Sequence, residues 1–181
     1  MQVVNKRTLV AVLFSLFLIA PLLYAEDWPT WRYDAARTGA SPGQLPPALY
    51  LQWVRQYAPP QPAWPEDERL LFDASYEPIV QGETLYLASA QNDSITAIDT
   101  RSGAEKWQFF AEGPIRFAPV AHDGNIYFGA DDGSIYCLSA ANGDLLWKLD
   151  IAQDARKVIG NDRMVSILPI RGGPVLADDK L

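Results

Sequence analysis

The stretch PIVQGETLYLASAQNDSITAIDTRSGAEKW, from Pro78 to Trp107, decides the fold because it returns as PVAHDGNIYFGADDGSIYCLSAANGDLLW, from Pro119 to Trp147. The opening prolines and the closing tryptophans of the two copies recur with almost the same spacing. A third copy begins at Pro174, where PVLADDKL aligns with PVAHDGNI. A period of about 40 residues indicates that each copy is one structural unit that packs against its neighbours.

Each copy divides into four short strands. In the second copy the strands are expected at 117–121, 126–128, 135–138 and 145–149. Asp-Gly and Asn-Gly pairs separate them, and such pairs reach the positive φ of tight hairpin turns at little steric cost. Four strands in about 40 residues match one blade of a β-propeller. The sequence therefore predicts an all-β fold, a partial β-propeller with two four-stranded antiparallel blades and the start of a third.

The end of each copy carries a family signature. AIDTRSGAEKW, at 97–107, is similar to the tryptophan-docking motif AxDxxTGxxxW of PQQ-type (quinoprotein-like) propellers, and CLSAANGDLLW, at 137–147, is a degenerate version. The matching positions are Ala97, Asp99, Gly103 and Trp107 in the first copy, and Gly143 and Trp147 in the second. The opening DWPTWRYDAARTGAS, at 27–41, also resembles the start of exported PQQ-like repeat proteins.

The resemblance implies structural roles for the tryptophans and a parent of about eight blades. Trp107 and Trp147 are expected to pack flat between neighbouring blades, and Asp99 to brace its turn. A ligand site is the alternative, but large aromatic residues more commonly supply buried contact area. Trp53, in LYLQWVRQY, has a similar outer-strand context with no blade before it. We interpret its segment as the strand that completes the last blade of a closed propeller.

The rest of the chain is organised around the repeats. The predicted segments are a signal peptide at 1–25, an extended arm at 26–47, an isolated strand with a proline-rich loop at 48–77, blade 1 at 78–114, blade 2 at 115–150, an inserted connection at 151–173 and the start of blade 3 at 174–181. Because Leu181 aligns with the first residue of a second strand, we expect an N-terminal fragment of a longer propeller, with a short independent protein as the alternative. The connection includes the basic stretch KVIGNDRMVSILPIRGG, at 157–173, which is interpreted either as a functional loop or as a long link between blades.

The N-terminus has the order of a secretory signal. Lys6 and Arg7 precede the apolar run from Leu9 to Leu23, and Ala25 is followed by acidic residues. The run is shorter than the ~20 residues that span a bilayer, although a retained membrane anchor is the alternative. We predict cleavage after Ala25, a periplasmic or extracellular location and no membrane span afterwards. The formal charge of −7 argues against nucleic acid as a partner, because phosphates would be repelled.

The candidate chemical groups form no catalytic constellation. Cys137 is the single cysteine and is expected to be a buried strand residue, so there is no internal disulfide. His122 is the single histidine and is expected to be exposed in a hairpin turn, which leaves no triad. Asp131-Asp132 and Asp178-Asp179 favour turns over a calcium loop. The sequence therefore predicts no catalytic residue and no metal site.

The resemblance also raises the question of a cofactor. It implies that quinone-dependent dehydrogenases of this fold hold PQQ and calcium beside a catalytic Asp and a vicinal cysteine pair. The single cysteine excludes that pair here, so no cofactor is expected in this segment, and PQQ and calcium stay open for a full-length parent. We favour an exported, non-catalytic binding or scaffold propeller of the cell envelope, similar in type to the β-barrel assembly propeller of outer membranes. Its expected contacts are a protein or envelope partner and the remaining blades. The alternatives are part of a quinone-dependent oxidoreductase, and a propeller attached to a separate catalytic domain.

Overall fold

The computed structural model describes residues 26–151, 156–160, 162–177 and 180–181. These residues form ten strands in three antiparallel sheets of four, four and two strands, and a single 3₁₀ turn, Glu68–Leu70, is their helical element. The predicted all-β class and the two four-stranded blades are confirmed. The predicted signal peptide, 1–25, lies outside the described residues. No helix in the described part of the chain is long and apolar enough to cross a membrane.

Each blade is a meander in which strands that are neighbours in sequence are also neighbours in the sheet. Blade 1 contains β1 (Ile79–Gln81), β2 (Thr84–Ser89), β3 (Ser94–Asp99) and β4 (Glu105–Phe110). Blade 2 contains β5 (Val120–His122), β6 (Asn125–Gly129), β7 (Ser134–Ser139) and β8 (Leu145–Asp150). The third sheet is a hairpin of β9 (Lys157–Gly160) and β10 (Arg163–Ser166).

The two blades repeat the same register irregularity. The pairing of β3 with β4 shifts between Ala97 and Ile98, and the pairing of β7 with β8 shifts between Cys137 and Leu138. A one-residue shift moves the following side chains to the other face of the sheet. Because the shift occurs at the equivalent position of the second copy, the closing tryptophans occupy equivalent places in the two blades.

The faces of the blades pack together in one hydrophobic core. Buried members from blade 1 and blade 2 include Ile79, Tyr86, Ile95, Ala97, Ile126, Phe128, Tyr136 and Leu138. Phe109 of β4 reaches across to the other blade, with its ring centroid 6.3 Å from that of Phe128 and 5.9 Å from that of Tyr136. Such edge-to-face aromatic contacts stabilise the packing beyond what the burial of apolar surface area alone contributes. Blade-to-blade burial therefore replaces the disulfides that a chain with a single cysteine cannot form.

The N-terminal arm runs beside the first strands of both blades. Trp28 and Val80 exchange two backbone hydrogen bonds of 2.8 Å, and the N–H of Ala121 donates to the carbonyl of Pro29 at 2.8 Å. The carboxylate of Asp27 accepts from the N–H of Gly82 at 2.6 Å. The arm thus supplies partners to β1 and β5, the strands that would otherwise present unpaired edges.

Three details differ from the sequence predictions. The segment 48–77 contains no strand, because none of the described residues pairs with its backbone as a ladder, although Trp53 and Arg55 dock on blade 1. The connection 151–173 is more than an irregular link, since it contains the hairpin β9–β10. The expected blade 3 start, 174–181, shows a single bridge, between Ala177 and Lys180, and its predicted turn residues Asp178-Asp179 lie outside the described part.

Candidate functional site

The turn between β3 and β4 is braced by Asp99. Its Oδ1 atom accepts from the N–H and the hydroxyl of Ser102, both at 2.8 Å, and from the N–H of Arg101 at 3.1 Å. These bonds, chiefly the one from the Ser102 hydroxyl, hold the pKa of Asp99 below its ordinary value. Gly103 follows with φ of +70° and donates its N–H to the Asp99 carbonyl at 2.9 Å. In blade 2 Ser139 stands in place of Asp99, yet Gly143 makes the same 2.9 Å backbone bond to it. The backbone turn therefore survives without the carboxylate.

Each of these turn glycines receives an indole from outside its own blade. Trp107 of blade 1 lies over Gly143 of blade 2, and a Cβ placed on that glycine would be 2.6 Å from Trp107 Cε3. The indole N–H of Trp107 donates to the carbonyl of Ala140 at 3.1 Å. The contact needs a residue that has no side chain and tolerates positive φ, which is the property of glycine.

Trp53 makes the equivalent contact with Gly103, the turn glycine of blade 1. A Cβ on Gly103 would be 2.7 Å from Trp53 Cδ2, and the indole N–H donates to the carbonyl of Thr100 at 2.9 Å. Thr100 and Ala140 hold equivalent turn positions in the two copies of the repeat. Arg55 reinforces this docking through a 2.8 Å hydrogen bond to the carbonyl of Gly103. Trp53 therefore occupies the place of a closing tryptophan, although its segment, 48–77, precedes the blades and is not part of one.

Trp147, the closing tryptophan of blade 2, lies at the surface. It is 41% exposed, and its ring is tilted against that of Tyr127 with centroids 6.0 Å apart. Leu145, Leu146 and Leu149 of the same strand are also exposed. In the described part of the chain the turn glycines that meet an indole are those under Trp53 and Trp107. The predicted burial of Trp147 between two blades thus stays a prediction.

A buried cluster of ion pairs, which the sequence patterns did not reveal, is centred on Asp131. Its carboxylate accepts from Arg116 Nε at 2.6 Å and, more loosely, from Arg171 Nε at 3.3 Å. Arg116 also donates to Asp73 at 2.7 Å and to the carbonyl of Gln61 at 2.9 Å. The side chains of Asp73, Arg116 and Asp131 are no more than 2% exposed. Two arginines thus balance two carboxylates in the interior, the arrangement that buried charge requires.

This cluster joins four segments that are distant in the sequence. Asp73 comes from the proline-rich loop, Arg116 from the approach to β5, Asp131 from the β6–β7 turn and Arg171 from the end of the connection. The backbone of Asp131 adds two more links, since its N–H donates to Pro114 at 2.9 Å and its carbonyl accepts from Ser166 at 2.8 Å. The predicted turn at Asp131-Asp132 exists, but both side chains are buried, with that of Asp131 0% and that of Asp132 2% exposed.

A cavity of about 320 Å³ opens beside the cluster, and we call it the arm cavity. Its lining residues come from the arm, the proline-rich loop, the approach to β5 and the connection, and they are Trp31, Arg37, Phe72, Glu77, Phe117, Arg171, Gly172, Gly173 and Pro174. Phe72 and Phe117 stack with centroids 5.5 Å apart and rings 3° from parallel. Partial burial raises the pKa of Glu77, which accepts from the N–H of Ala118 at 3.2 Å. Concave, largely apolar pockets with a few polar groups are the usual form of a binding site.

The other predicted candidates lie apart from the arm cavity. His122 is the last residue of β5 and pairs with Asn125, so the prediction that it lies in the turn is wrong; the turn is the pair Asp123-Gly124, with φ of +46° and +73°. Cys137 is buried in β7, and burial raises the pKa of its thiol. The described residues contain no group of three or more His, Cys, Asp or Glu placed to hold a metal ion.

Two stacked blades joined by a docked tryptophan define a β-propeller built from tryptophan-docking repeats. A family model of PQQ-like repeats, described as outer membrane protein assembly factor BamB, matches residues 30–178. Because that match covers most of the sequence, the chain belongs to this family. No match was found among curated proteins.

A solved structure shows the same fold, and two others match a smaller part of this chain. Quinohemoprotein alcohol dehydrogenase from Comamonas testosteroni is 20% identical with a TM-score of 0.52, over 90% of this chain and 23% of that chain. BamB from Moraxella catarrhalis is 20% identical with a TM-score of 0.36, over 45% of this chain and 29% of that one. A europium-containing methanol dehydrogenase is 30% identical with a TM-score of 0.37, over 41% of this chain and 15% of that chain. The chain thus spans less than a third of the length of each of these proteins.

Proposed function

We propose that this chain is the exported, non-catalytic binding part of a cell-envelope propeller, and that the arm cavity is where it binds. The observation that carries the proposal is the cavity itself, with aromatic walls and charged groups set on a rigid two-blade support. Membership of a family described as an outer membrane protein assembly factor supports an envelope location and a protein partner. Export would follow from the signal-like residues 1–25.

The charged groups around the cavity favour binding over catalysis. Arg171 stacks on Trp64, with its guanidinium carbon 4.0 Å from the ring centroid, and is paired with Asp131. Arg37 donates to the carbonyl of Gly173 at 3.3 Å and stacks on Trp31. Groups held by several partners are suited to fixing a ligand's orientation, whereas acid–base chemistry needs a group that can exchange a proton with it.

The quinone-dependent alternative fits these residues poorly. Calcium prefers several free carboxylate or carbonyl oxygens. Both oxygens of Asp131 and one oxygen of Asp73 are occupied by arginines, which leaves Asp73 Oδ1 as the one carboxylate oxygen of this cluster without a hydrogen-bond partner. Cys137, the single cysteine, is buried in β7 away from the cavity lining. We therefore propose that this segment holds neither PQQ nor calcium, and that any such site in a longer protein would use other residues.

Site-specific crosslinking in the native envelope tests the proposal. A photo-reactive amino acid at Phe72, on the cavity wall, should give a discrete protein adduct in the full-length protein. The same amino acid at Ala141, an exposed position in the β7–β8 turn, serves as the matched control and should not give that adduct. Identical adducts from both positions would contradict a binding role for the cavity. Quinone-dependent reduction of a dye by the purified full-length protein would favour the oxidoreductase instead.

A further inference from the structure

The arm cavity places two cations, Arg37 and Arg171, and one anion, Glu77, around the same small space. Arg37 is held by the carbonyl of Gly173, and Glu77 by the N–H of Ala118. Arg37 acts on Glu77 electrostatically and opposes the rise that burial causes in the pKa of that carboxyl. Arg171 is already paired with Asp131, which leaves Arg37 and Glu77 as the complementary charged groups of the lining.

The remaining wall is aromatic and flat. The stacked rings of Phe72 and Phe117 form one side, and Trp31, whose other contacts include the guanidinium of Arg37 at 5.0 Å, forms another. A volume of about 320 Å³ is at the small end of ligand pockets, which suits a single ring with a short polar end. Rings of this kind pack well against a planar apolar group.

We propose that the arm cavity binds an aromatic α-amino carboxylate, with the carboxylate on Arg37, the adjacent N–H on Glu77 and the ring against Phe72 and Phe117. This inference rests on the proposed binding role of the same cavity. Guanidinium groups recognise carboxylates through charge-assisted hydrogen bonds, and a carboxylate accepts from an N–H in the same way. Two sources present this chemistry, the free amino acid and the carboxyl-terminal residue of a polypeptide.

Fluorine NMR on the purified full-length protein tests the ligand class. The probe is N-acetyl-4-fluorophenylalanine, whose signal should broaden saturably. Its primary amide, which lacks the carboxylate, and 3-(4-fluorophenyl)propanoate, which lacks the acetamido N–H, should each bind about tenfold more weakly, the effect of losing one charge-assisted hydrogen bond. Free 4-fluorophenylalanine separates the sources: tighter binding of the N-acetyl form indicates a polypeptide end, and tighter binding of the free form indicates the amino acid.

Two variants connect the binding to these residues. Arg37→Gln should weaken the probe about tenfold while leaving binding of its amide unchanged. Arg101→Gln, which removes an exposed arginine paired with Glu83 on blade 1, is the matched control and should leave both unchanged. Any of three results would overturn the inference. They are equal binding of the probe and its amide, equal affinity of the probe for the Arg37→Gln and Arg101→Gln variants, and the absence of saturable binding. Crosslinking at Phe72 would still report the binding role itself, so the two failures are distinguishable.

Discussion

The docking of Trp107 on Gly143 can be tested by adding one methyl group. Gly143 has φ of +76°, and a Cβ there would be 2.6 Å from Trp107 Cε3. Gly124 has φ of +73°, with nothing within 4 Å of the same Cβ. Gly143→Ala therefore carries the cost of a left-handed residue, roughly 1–2 kcal/mol, plus an overpacking cost of roughly 1–3 kcal/mol. Gly124→Ala carries the first cost alone.

The expected difference between the two variants is thus about 1–3 kcal/mol in the free energy of unfolding. Changes in the unfolded chain are the same for two glycine-to-alanine replacements and cancel. Urea unfolding of the purified mature protein, followed by circular dichroism, measures the difference without relying on tryptophan emission. It corresponds to a shift in Tm of roughly 2–4 °C per kcal/mol for a chain of this size.

A double-mutant cycle provides the stricter control. In a Trp107→Ala background, where the indole is gone, Gly143→Ala should cost only what Gly124→Ala costs. If the two alanine variants unfold at the same urea concentration in the wild-type background, the indole does not limit the space above Gly143. The docking of Trp107 of blade 1 on Gly143 of blade 2 would then be wrong. Gly103→Ala compared with Gly82→Ala repeats the test for Trp53.

Three further predictions concern ionisable groups. Asp131→Asn leaves the buried Arg116 and the partly buried Arg171 short of a charge and should cost roughly 3–5 kcal/mol in urea unfolding, whereas Asp67→Asn, in an exposed pair, should cost much less. Burial raises the pKa of Glu77 in the folded protein, so the folded state favours the protonated carboxyl. The contribution of Glu77 to the stability of the wild-type protein is therefore greatest at low pH and falls as the pH rises through the folded pKa of Glu77. Glu77→Gln should therefore gain stability relative to wild type between acidic and neutral pH, measured by urea unfolding across that range. The thiol of Cys137 is buried with a raised pKa, so its alkylation by iodoacetamide should follow the unfolding curve; rapid labelling of the native protein would contradict this placement.

The repeat made the blades predictable, because the spacing of turns and tryptophans is a local property of the sequence. The same logic gave Trp53 an outer-strand context similar to that of the closing tryptophans but assigned its segment to a strand. A strand is defined by hydrogen bonds to a neighbour, and no periodicity in 48–77 reports whether that neighbour is present. The hairpin β9–β10 was within reach of sequence reasoning, since Val158 and Val165 flank an Asn-Asp turn signal.

The Asp131 cluster could not be predicted in this way. Its members are separated in sequence by 15, 40 and 43 residues, and each has an ordinary local explanation. An Asp-Asp-Gly sequence is a good turn whether or not its first carboxylate is buried. Asp131 is buried because Arg116 and Arg171, which come from other segments, pack against it in the tertiary structure.

Two ion pairs account for two of the basic residues in the connection 151–173 of this acidic chain. Arg171 pairs with Asp131, in the β6–β7 turn of blade 2, and Arg163 pairs with Asp93, in the β2–β3 turn of blade 1. The two arginines therefore fasten one connection to the corresponding turns of successive blades. Since Arg171 to Pro174 form part of the arm cavity, this fastening also fixes a wall of the proposed binding site. The sequence alternatives of a functional loop and a structural link are thus compatible, because the charges that hold the connection in place also shape the cavity.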